Sequence, residues 1–321
     1  MPYKYLSIYY FNMDTSNLPG LGKDKWIKYH YNNNPRRTHP KDNVSLALTS
    51  STNQLLSFEE ACDLTARQIY DFAGDRPIYV AMSGGCDSEM VAESFYKLRI
   101  PIVPLIVDVH FFSFHANYAD TWWAKKWCKE RNITPVIKNY STTDLIVETY
   151  HLADELNARH LYPLMYVKLA REVKKLGGVI VSGQGFFEYF PDHTLTYLEE
   201  LFKDTSIYTQ DKQLKEGWMF HECDTYLDID DPGYHPYNFL SWNPEIVLAY
   251  LNERDRNLST EENKFKIMKR QPRPKLQGPD IVVYHMLEHQ KKLRVERGTS
   301  EVAWIGTNNE VRKAIYKNAK S

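Results

Sequence analysis

From residue 58 to residue 190, short apolar runs alternate with longer segments of helical periodicity, and this pattern constrains the fold more than any other feature of the sequence. Short aliphatic runs bounded by turn-forming residues predict buried strands. Strands separated by helices need crossover connections, which favour an α/β fold: a parallel sheet with helices on both faces. The predicted strands are 78–82, 102–107, 134–137 and 179–181, and the predicted helices are 58–72, 89–98, 118–131 and 162–176.

The flanking segments divide the chain into three parts. Residues 1–57 open with a strand-like run at 5–11 and then become polar and turn-rich, which predicts a small β-containing appendage. Ser57, followed three residues later by Glu60, forms a capping-box pattern, so a helix and the core should begin at residue 58. We therefore expect a core domain at 58–190, followed at 191–321 by a substrate-side, largely helical segment that completes the site.

A glycine-rich turn follows the first predicted strand of the core. It reads Ser83, Gly84, Gly85, Cys86, Asp87, Ser88. Paired glycines allow a sharp turn, and a helix N-terminus attracts anions, so the turn predicts a phosphate site. Because a carboxylate and a phosphate repel each other, Asp87 fits such a site only through a bound Mg²⁺. The alternative is an ordinary strand-to-helix turn in which Asp87 and Ser88 are helix caps.

The string Ser-Gly-Gly-x-Asp-Ser resembles the PP-loop of the N-type ATP pyrophosphatases, which cleave ATP between the α and β phosphates. The resemblance covers roughly residues 77–190. It implies an adenine nucleotide α-hydrolase-like fold of the HUP type, in which this turn holds the pyrophosphate end of ATP. It also implies that Asp108, at the end of the second core strand, lies beside the adenosine; a strand-end carboxylate in solvent is the alternative.

A second glycine motif follows the fourth predicted strand. It reads Ser182, Gly183, Gln184, Gly185, Phe186, Phe187, Glu188. It resembles Ser-Gly-Glu-Gly-x-Asp-Glu of the asparagine-synthetase-type branch, where the carboxylates help to hold magnesium. Gln184 and Phe187 replace two of those acids, so Glu188 remains as the candidate metal ligand beside Asp87. The alternative is a tight turn with no ligand. The resemblance implies nucleotide contacts from Ser182, Gly183 and Gly185.

A basic segment around residue 275 resembles the Arg-x-Lys-x-Gly stretch with which the same synthetases place a lysine over the polyphosphate. Lys275 is the candidate catalytic cation, with Arg273 and Lys269 in reserve. A preplaced cation would stabilise the negative charge that develops on the leaving pyrophosphate. Upstream, Pro244-Glu245 resembles the proline-acid pair that opens a helix in this branch. A solvated basic face or a nucleic-acid contact is the alternative for the basic segment.

Charge and cysteine content exclude several classes of protein. With 40 basic and 41 acidic side chains, the chain has no overall field that would attract nucleic acid or a membrane surface. The four cysteines are far apart, without the spacing of a zinc site or of the sulfur-transferring branches. They favour a reducing compartment. The start of the chain shows no signal-peptide pattern, so we expect a cytoplasmic protein.

The resemblance implies an asparagine-synthetase-like, AMP-forming ligase that uses ATP and Mg²⁺. It would adenylate a carboxylate or amide-like oxygen of a small-molecule acid, with Asp87 and Lys275 as the catalytic residues. Position 2 is Pro2 rather than the cysteine nucleophile of a glutaminase domain, so the attacking amine or ammonia would come from solution or a separate source. The alternatives are a phosphoadenylyl-sulfate-reductase-like or nucleobase-modifying PP-loop enzyme, and a catalytically silent nucleotide-binding module.

Overall fold

The structure is a computed structural model. It describes residues 20–31, 44–156, 161, 164–183, 187–190, 217–221, 237–255, 267, 289, 292–293, 296, 302–306 and 308–316. The strands are β1 (Gly20–Leu21), β2 (Ile27–Tyr31), β3 (Val44–Leu48), β4 (Ile78–Ala81), β5 (Val103–Phe111), β6 (Phe114–His115), β7 (Val136–Ser141), β8 (Val179–Ser182), β9 (Phe187–Phe190), β10 (Gly217–His221), β11 (Tyr237–Asn238) and β12 (Val302–Gly306). The α-helices are α1 (Phe58–Ala73), α2 (Cys86–Lys97), α3 (Tyr118–Glu130), α4 (Thr142–Glu155), α5 (Leu164–Lys175), α6 (Pro244–Asp255) and α7 (Asn308–Ile315).

The central sheet has the strand order β11-β8-β4-β5-β7, and every neighbouring pair in that order is parallel. The short strand β6 folds back antiparallel on the end of β5. Two smaller antiparallel sheets, β1-β2-β3 and β12-β10-β9, accompany it. The predicted α/β class is therefore confirmed, and the described part of residues 1–57 contains β-structure as expected. The strand-like run at 5–11 lies outside the described residues.

Helices cover both faces of the central sheet. Val80 and Ile106 are buried in one cluster with residues of α1, α2, α3 and α6, whereas their strand neighbours Tyr79 and Leu105 are buried in another cluster with residues of α5. This is the two-residue alternation of a strand. It explains why these strands read as continuous apolar runs in the sequence, since neither face meets water.

One hydrophobic core draws residues from all three parts of the chain. Trp26, Trp242 and Val311 are each almost fully buried in the same cluster as α1 and α2. The indole Nε1 of Trp26 also donates a hydrogen bond of 3.0 Å to the Ser241 carbonyl. The N-terminal antiparallel sheet is thereby fixed to the segment that precedes α6.

The helix predicted at the proline-acid pair begins at Pro244. The buried side chain of Asn243 caps it, because its Oδ1 accepts a 2.8 Å hydrogen bond from the Ile246 N–H. The Nδ2 of Asn243 donates to Thr65 Oγ1 and Gln68 Oε1 of α1, each at 3.0 Å. One amide group therefore both starts α6 and ties it to α1.

Several element boundaries differ from the sequence prediction. Helix α2 begins at Cys86 rather than near residue 89, because Gly85 takes the N-cap position with φ −75° and ψ 166°. Strand β5 continues to Phe111, since its polar end is paired on both sides, by β6 and β7. Strand β7 lies at 136–141 rather than 134–137, and α4 follows it without having been predicted. No helix among the described residues is long and apolar enough to span a membrane.

Candidate nucleotide-binding site

The connections that leave β4 and β8 diverge at the centre of the sheet. From β4 the chain proceeds to β5 and β7 on one side, and it then returns to β8 and β11 on the other side. In open parallel sheets this divergence opens a crevice at the carboxyl ends of the strands, and ligands bind there. Val80 of β4 pairs with Val181 of β8, so the glycine turn after β4 and the pair Ser182-Gly183 lie side by side at that edge.

The turn after β4 needs glycine for two reasons. Gly84 has a φ of +83°, a conformation that other residues adopt only with strain. A Cβ at this position would also lie 2.0 Å from the carbonyl oxygen of Asp120 in α3. The turn therefore lies directly against the backbone of α3, and it leads into α2, where the Glu89 N–H donates to the Gly85 carbonyl at 3.1 Å.

Two serine hydroxyls hold the shape of the turn. Ser88 Oγ accepts from the Ser83 N–H at 3.2 Å and donates to the Gly85 carbonyl at 3.1 Å. The Gly85 N–H in turn donates to Ser83 Oγ at 3.3 Å. Ser83 Oγ and Ser88 Oγ also lie 3.2 Å apart, and residue Ser88 is buried whereas residue Ser83 is exposed.

The end of β8 packs directly on the first turn of α2. A Cβ on Gly183 would lie 2.7 Å from the carbonyl carbon of Asp87 and 2.9 Å from the Ser88 nitrogen. The structure thus brings together two glycine motifs that are almost a hundred residues apart in the sequence. Cys86 and Asp87, in that first turn, are both partly exposed.

The donor atoms around this turn suit a phosphate and a hard cation. A helix N-terminus favours an anion through its N–H groups and its dipole. Asp87 supplies a partly exposed carboxylate and Ser83 an exposed hydroxyl, and Mg²⁺ prefers oxygen ligands of this type. The residues present therefore fit a phosphate accompanied by Mg²⁺.

Asn238, in the short strand β11, is a polar residue at this edge that no sequence motif pointed to. It pairs with the buried Ser182 of β8. Its side chain is buried, and its Oδ1 has no hydrogen-bond partner among the described residues. A buried acceptor without a partner is unfavourable unless a ligand or water satisfies it.

Asp108 lies on β5, beyond the carboxyl end of β4, and it is only 3% exposed. Its Oδ2 lies 2.6 Å from Lys125 Nζ, and its Oδ1 lies 3.1 Å from His115 Nδ1. Burial raises the pKa of this carboxyl, but the hydrogen bonds from Lys125 and His115 outweigh burial and hold the pKa below its usual value. Asp108 is therefore a buried, paired carboxylate rather than a strand-end group in solvent.

Of the remaining predicted site residues, the structure describes only the backbone of Glu188. The backbone of Glu188 belongs to β9, which pairs with β10 in the small antiparallel sheet, opposite Met219. Gly185 and Lys275 lie outside the described residues, as do the reserve candidates Arg273 and Lys269. The roles given to these residues stay predictions.

No protein-family model and no curated protein matches the sequence. Among solved structures, the chain is similar to an NH3-dependent NAD synthetase from Campylobacter jejuni, with 13% identity over 74% of this chain and 85% of that chain and a TM-score of 0.31. It is also similar to an NMN synthetase from Francisella tularensis (13% identity, 77% and 98% covered, TM-score 0.31) and to a U34-tRNA thiolase from Methanococcus maripaludis (13% identity, 75% and 78% covered, TM-score 0.29). TM-scores this low do not assign a function.

Proposed function

We propose that this chain is an ATP-dependent ligase of the PP-loop ATP pyrophosphatase type. One observation carries the proposal: at the switch point of a parallel sheet, the turn that starts at Ser83 opens a helix whose first turn lies against Gly183. A strand-to-helix turn with no ligand would need glycine for its shape, but it would not need an exposed hydroxyl and a carboxylate at the switch point. The sequence string of this turn and its position in the sheet support the same function.

In the proposed reaction, a carboxylate or amide-like oxygen of an acid substrate attacks the α-phosphorus of ATP. The bond from that phosphorus to the bridging oxygen breaks, and pyrophosphate leaves with the electron pair. A nitrogen nucleophile then attacks the activated carbon, displaces AMP and releases its proton to solvent. The order of motifs in the sequence favours the asparagine-synthetase-type branch for this chemistry.

The residues of the turn act by positioning and by charge. The N-terminal end of α2 and the Ser83 hydroxyl would orient the β- and γ-phosphates, so that the α-phosphorus faces the acid. Asp87, with Glu188 as the second candidate, would hold Mg²⁺, whose charge lowers the repulsion between ATP and an anionic substrate. Lys275 would stabilise the charge that develops on pyrophosphate.

The test is to incubate the full chain with Mg²⁺ and α-labelled ATP, together with a panel of acids and ammonium or amines. We expect labelled AMP and an equal amount of pyrophosphate. Asp87→Ala should abolish AMP formation, whereas Asp71→Ala, which removes an exposed carboxylate of α1, should leave it unchanged. Lys275→Ala should lower the rate of AMP formation more than it lowers the affinity for ATP.

Three results would contradict the proposal in different ways. Tight ATP binding without AMP across the panel would indicate the catalytically silent module. Turnover of phosphoadenylyl sulfate, or of a nucleobase with ATP, would indicate one of the other PP-loop chemistries. Failure to bind ATP at all would reject the nucleotide site itself.

A further inference from the structure

At the end of β5, the fold brings together three side chains of types that can ligate a metal ion. Asp108 and His110 are two positions apart on this strand, so they lie on the same face. His110 is paired with His115 across the β5-β6 hairpin, and directly opposed residues of an antiparallel pair also share a face. The hairpin therefore directs one carboxylate and two imidazoles to one point.

We propose that Asp108, His110 and His115 form a binding site for a divalent transition-metal ion of the zinc class, with one coordination position open to solvent. The carboxylate Oδ1 lies 3.1 Å from His115 Nδ1 and 3.6 Å from His110 Nε2, and all three ligand atoms lie within 4.8 Å of one another. An ion bound at about 2.0–2.2 Å with tetrahedral angles keeps its ligand atoms roughly 3.3–3.6 Å apart. The two distances from the carboxylate oxygen to the imidazole nitrogens are therefore already close to the spacing that such an ion requires.

Hydrogen bonding alone does not account for this convergence. Two imidazole rings, with centroids 4.1 Å apart, both direct a nitrogen at the same carboxylate oxygen. The His110 nitrogen, at 3.6 Å, is beyond ordinary hydrogen-bond distance from that oxygen. Lys125 occupies the other oxygen, Oδ2, at 2.6 Å, and thus turns Oδ1 towards the histidines.

Neighbouring side chains hold the β5 backbone that carries Asp108 and His110. The Asn117 side chain accepts from the Val109 N–H at 2.9 Å and donates to the Val107 carbonyl at 2.8 Å. Thr142 Oγ1 donates to the His110 carbonyl at 3.0 Å. These contacts hold the β5 backbone in place, so Asp108 and His110 keep their positions relative to each other.

The donor set and its exposure indicate which ion would bind. Two imidazoles with one carboxylate suit zinc and its neighbours, whereas Mg²⁺ and Ca²⁺ prefer oxygen ligands alone. The side chains of His110 and His115 are 29% and 45% exposed, so the outer side of the site faces water. Three protein ligands with an open position are the arrangement of a reactive zinc site rather than of a closed structural one.

The test measures Zn²⁺ binding to the full chain by calorimetry, and Co²⁺ binding by visible absorption, in the presence of millimolar Mg²⁺. We expect a Zn²⁺ equivalent whose affinity falls by at least about 100-fold in His115→Ala and in Asp108→Asn, together with loss of the intense visible bands of four-coordinate Co²⁺. His151→Ala, which removes an exposed histidine of α4, should change neither result. Circular dichroism checks that each variant is folded.

The result that overturns the proposal is equal Zn²⁺ affinity in the wild type, His115→Ala and Asp108→Asn. The proposal is also overturned if His151→Ala weakens Zn²⁺ binding as much as His115→Ala does. Displacement of the bound Zn²⁺ by Mg²⁺ would overturn it as well. Because His115 lies at an exposed position of a short hairpin, its replacement leaves the core intact and the comparison stays valid even if Asp108→Asn unfolds. The test needs no ATP, so its outcome is independent of the proposed ligase activity.

Discussion

Replacing Gly84 with alanine should damage the proposed nucleotide site through the backbone of α3. The new Cβ would lie 2.0 Å from the Asp120 carbonyl oxygen, and Cβ atoms essentially never approach another heavy atom more closely than 3.0 Å. The turn or α3 must therefore move by about 1 Å. A displacement of that size at a site that positions reacting groups lowers the rate by roughly 100-fold. Gly84→Ala should thus lose about that factor in kcat/KM for AMP formation.

Gly177→Ala is the matched control for this substitution. Gly177 follows α5 with a φ of +71°, close to the +83° of Gly84, but a Cβ there would meet no described atom within 4 Å. Both variants bear the strain of a positive φ, about 1–2 kcal/mol of unfolding free energy. Only Gly84→Ala adds an overpacking term of about 1–3 kcal/mol.

Urea denaturation and ATP titration of the two variants measure the difference. We expect Gly177→Ala to keep wild-type ATP affinity, and Gly84→Ala to be the less stable variant and to bind ATP weakly. The reasoning is refuted if both variants lose the same unfolding free energy and Gly84→Ala binds ATP like the wild type. The contact between α3 and the turn would then not determine the shape of the site. The comparison of stabilities holds even if the chain does not bind ATP.

Three further predictions concern packing, pH and access to the turn. Asn243→Ala should lower the unfolding free energy in urea by about 2–4 kcal/mol, since it removes a helix cap and leaves the buried Thr65 hydroxyl without its donor. Burial raises the pKa of Glu172, but hydrogen bonds from Tyr140 and Lys138 outweigh burial and hold the pKa below the ordinary 4.5. The carboxylate therefore stabilises the fold above pH 4.5, and its contribution is lost as the pH falls through the lowered pKa. The stability difference between wild type and Glu172→Gln in urea should therefore shrink below pH 4.5, and a constant difference would refute the assignment. Iodoacetamide should modify the partly exposed Cys86 faster than the buried Cys62 and Cys128, and bound ATP should slow the modification of Cys86, as peptide mass spectrometry can show.

The local sequence was sufficient to predict four of the five strands of the parallel central sheet, β4, β5, β7 and β8, and the helices α1, α2, α3 and α5. The capping box formed by Ser57 and Glu60 is present, and α1 begins at Phe58, as its pattern predicts. Helix α3 starts at Tyr118 and β8 at Val179, again where the sequence places them. These features depend on residues within one or two turns of each other, so the information that specifies them is contained in a short segment.

The sequence also predicted a phosphate site at this turn, from paired glycines followed by Asp87 at a strand-to-helix junction, and that role stays a prediction. It did not show that Gly183 lies on that turn, nor that Asp120 closes it from the other side. Both contacts join elements that the chain order separates. Only the strand order of the sheet, with β8 returning beside β4, decides which turns become neighbours.

The cluster of Asp108, His110 and His115 at the end of β5 is a second arrangement that the sequence alone did not predict. The sequence predicted a strand that ends near Asp108, and no motif grouped His110 or His115 with that carboxylate. The tertiary structure extends β5 through these residues, pairs His110 with His115, and directs both imidazoles at one oxygen of Asp108. The sequence determined the residue types and the local elements, whereas the pairing of strands decided which side chains meet, because that pairing depends on packing across the whole sheet.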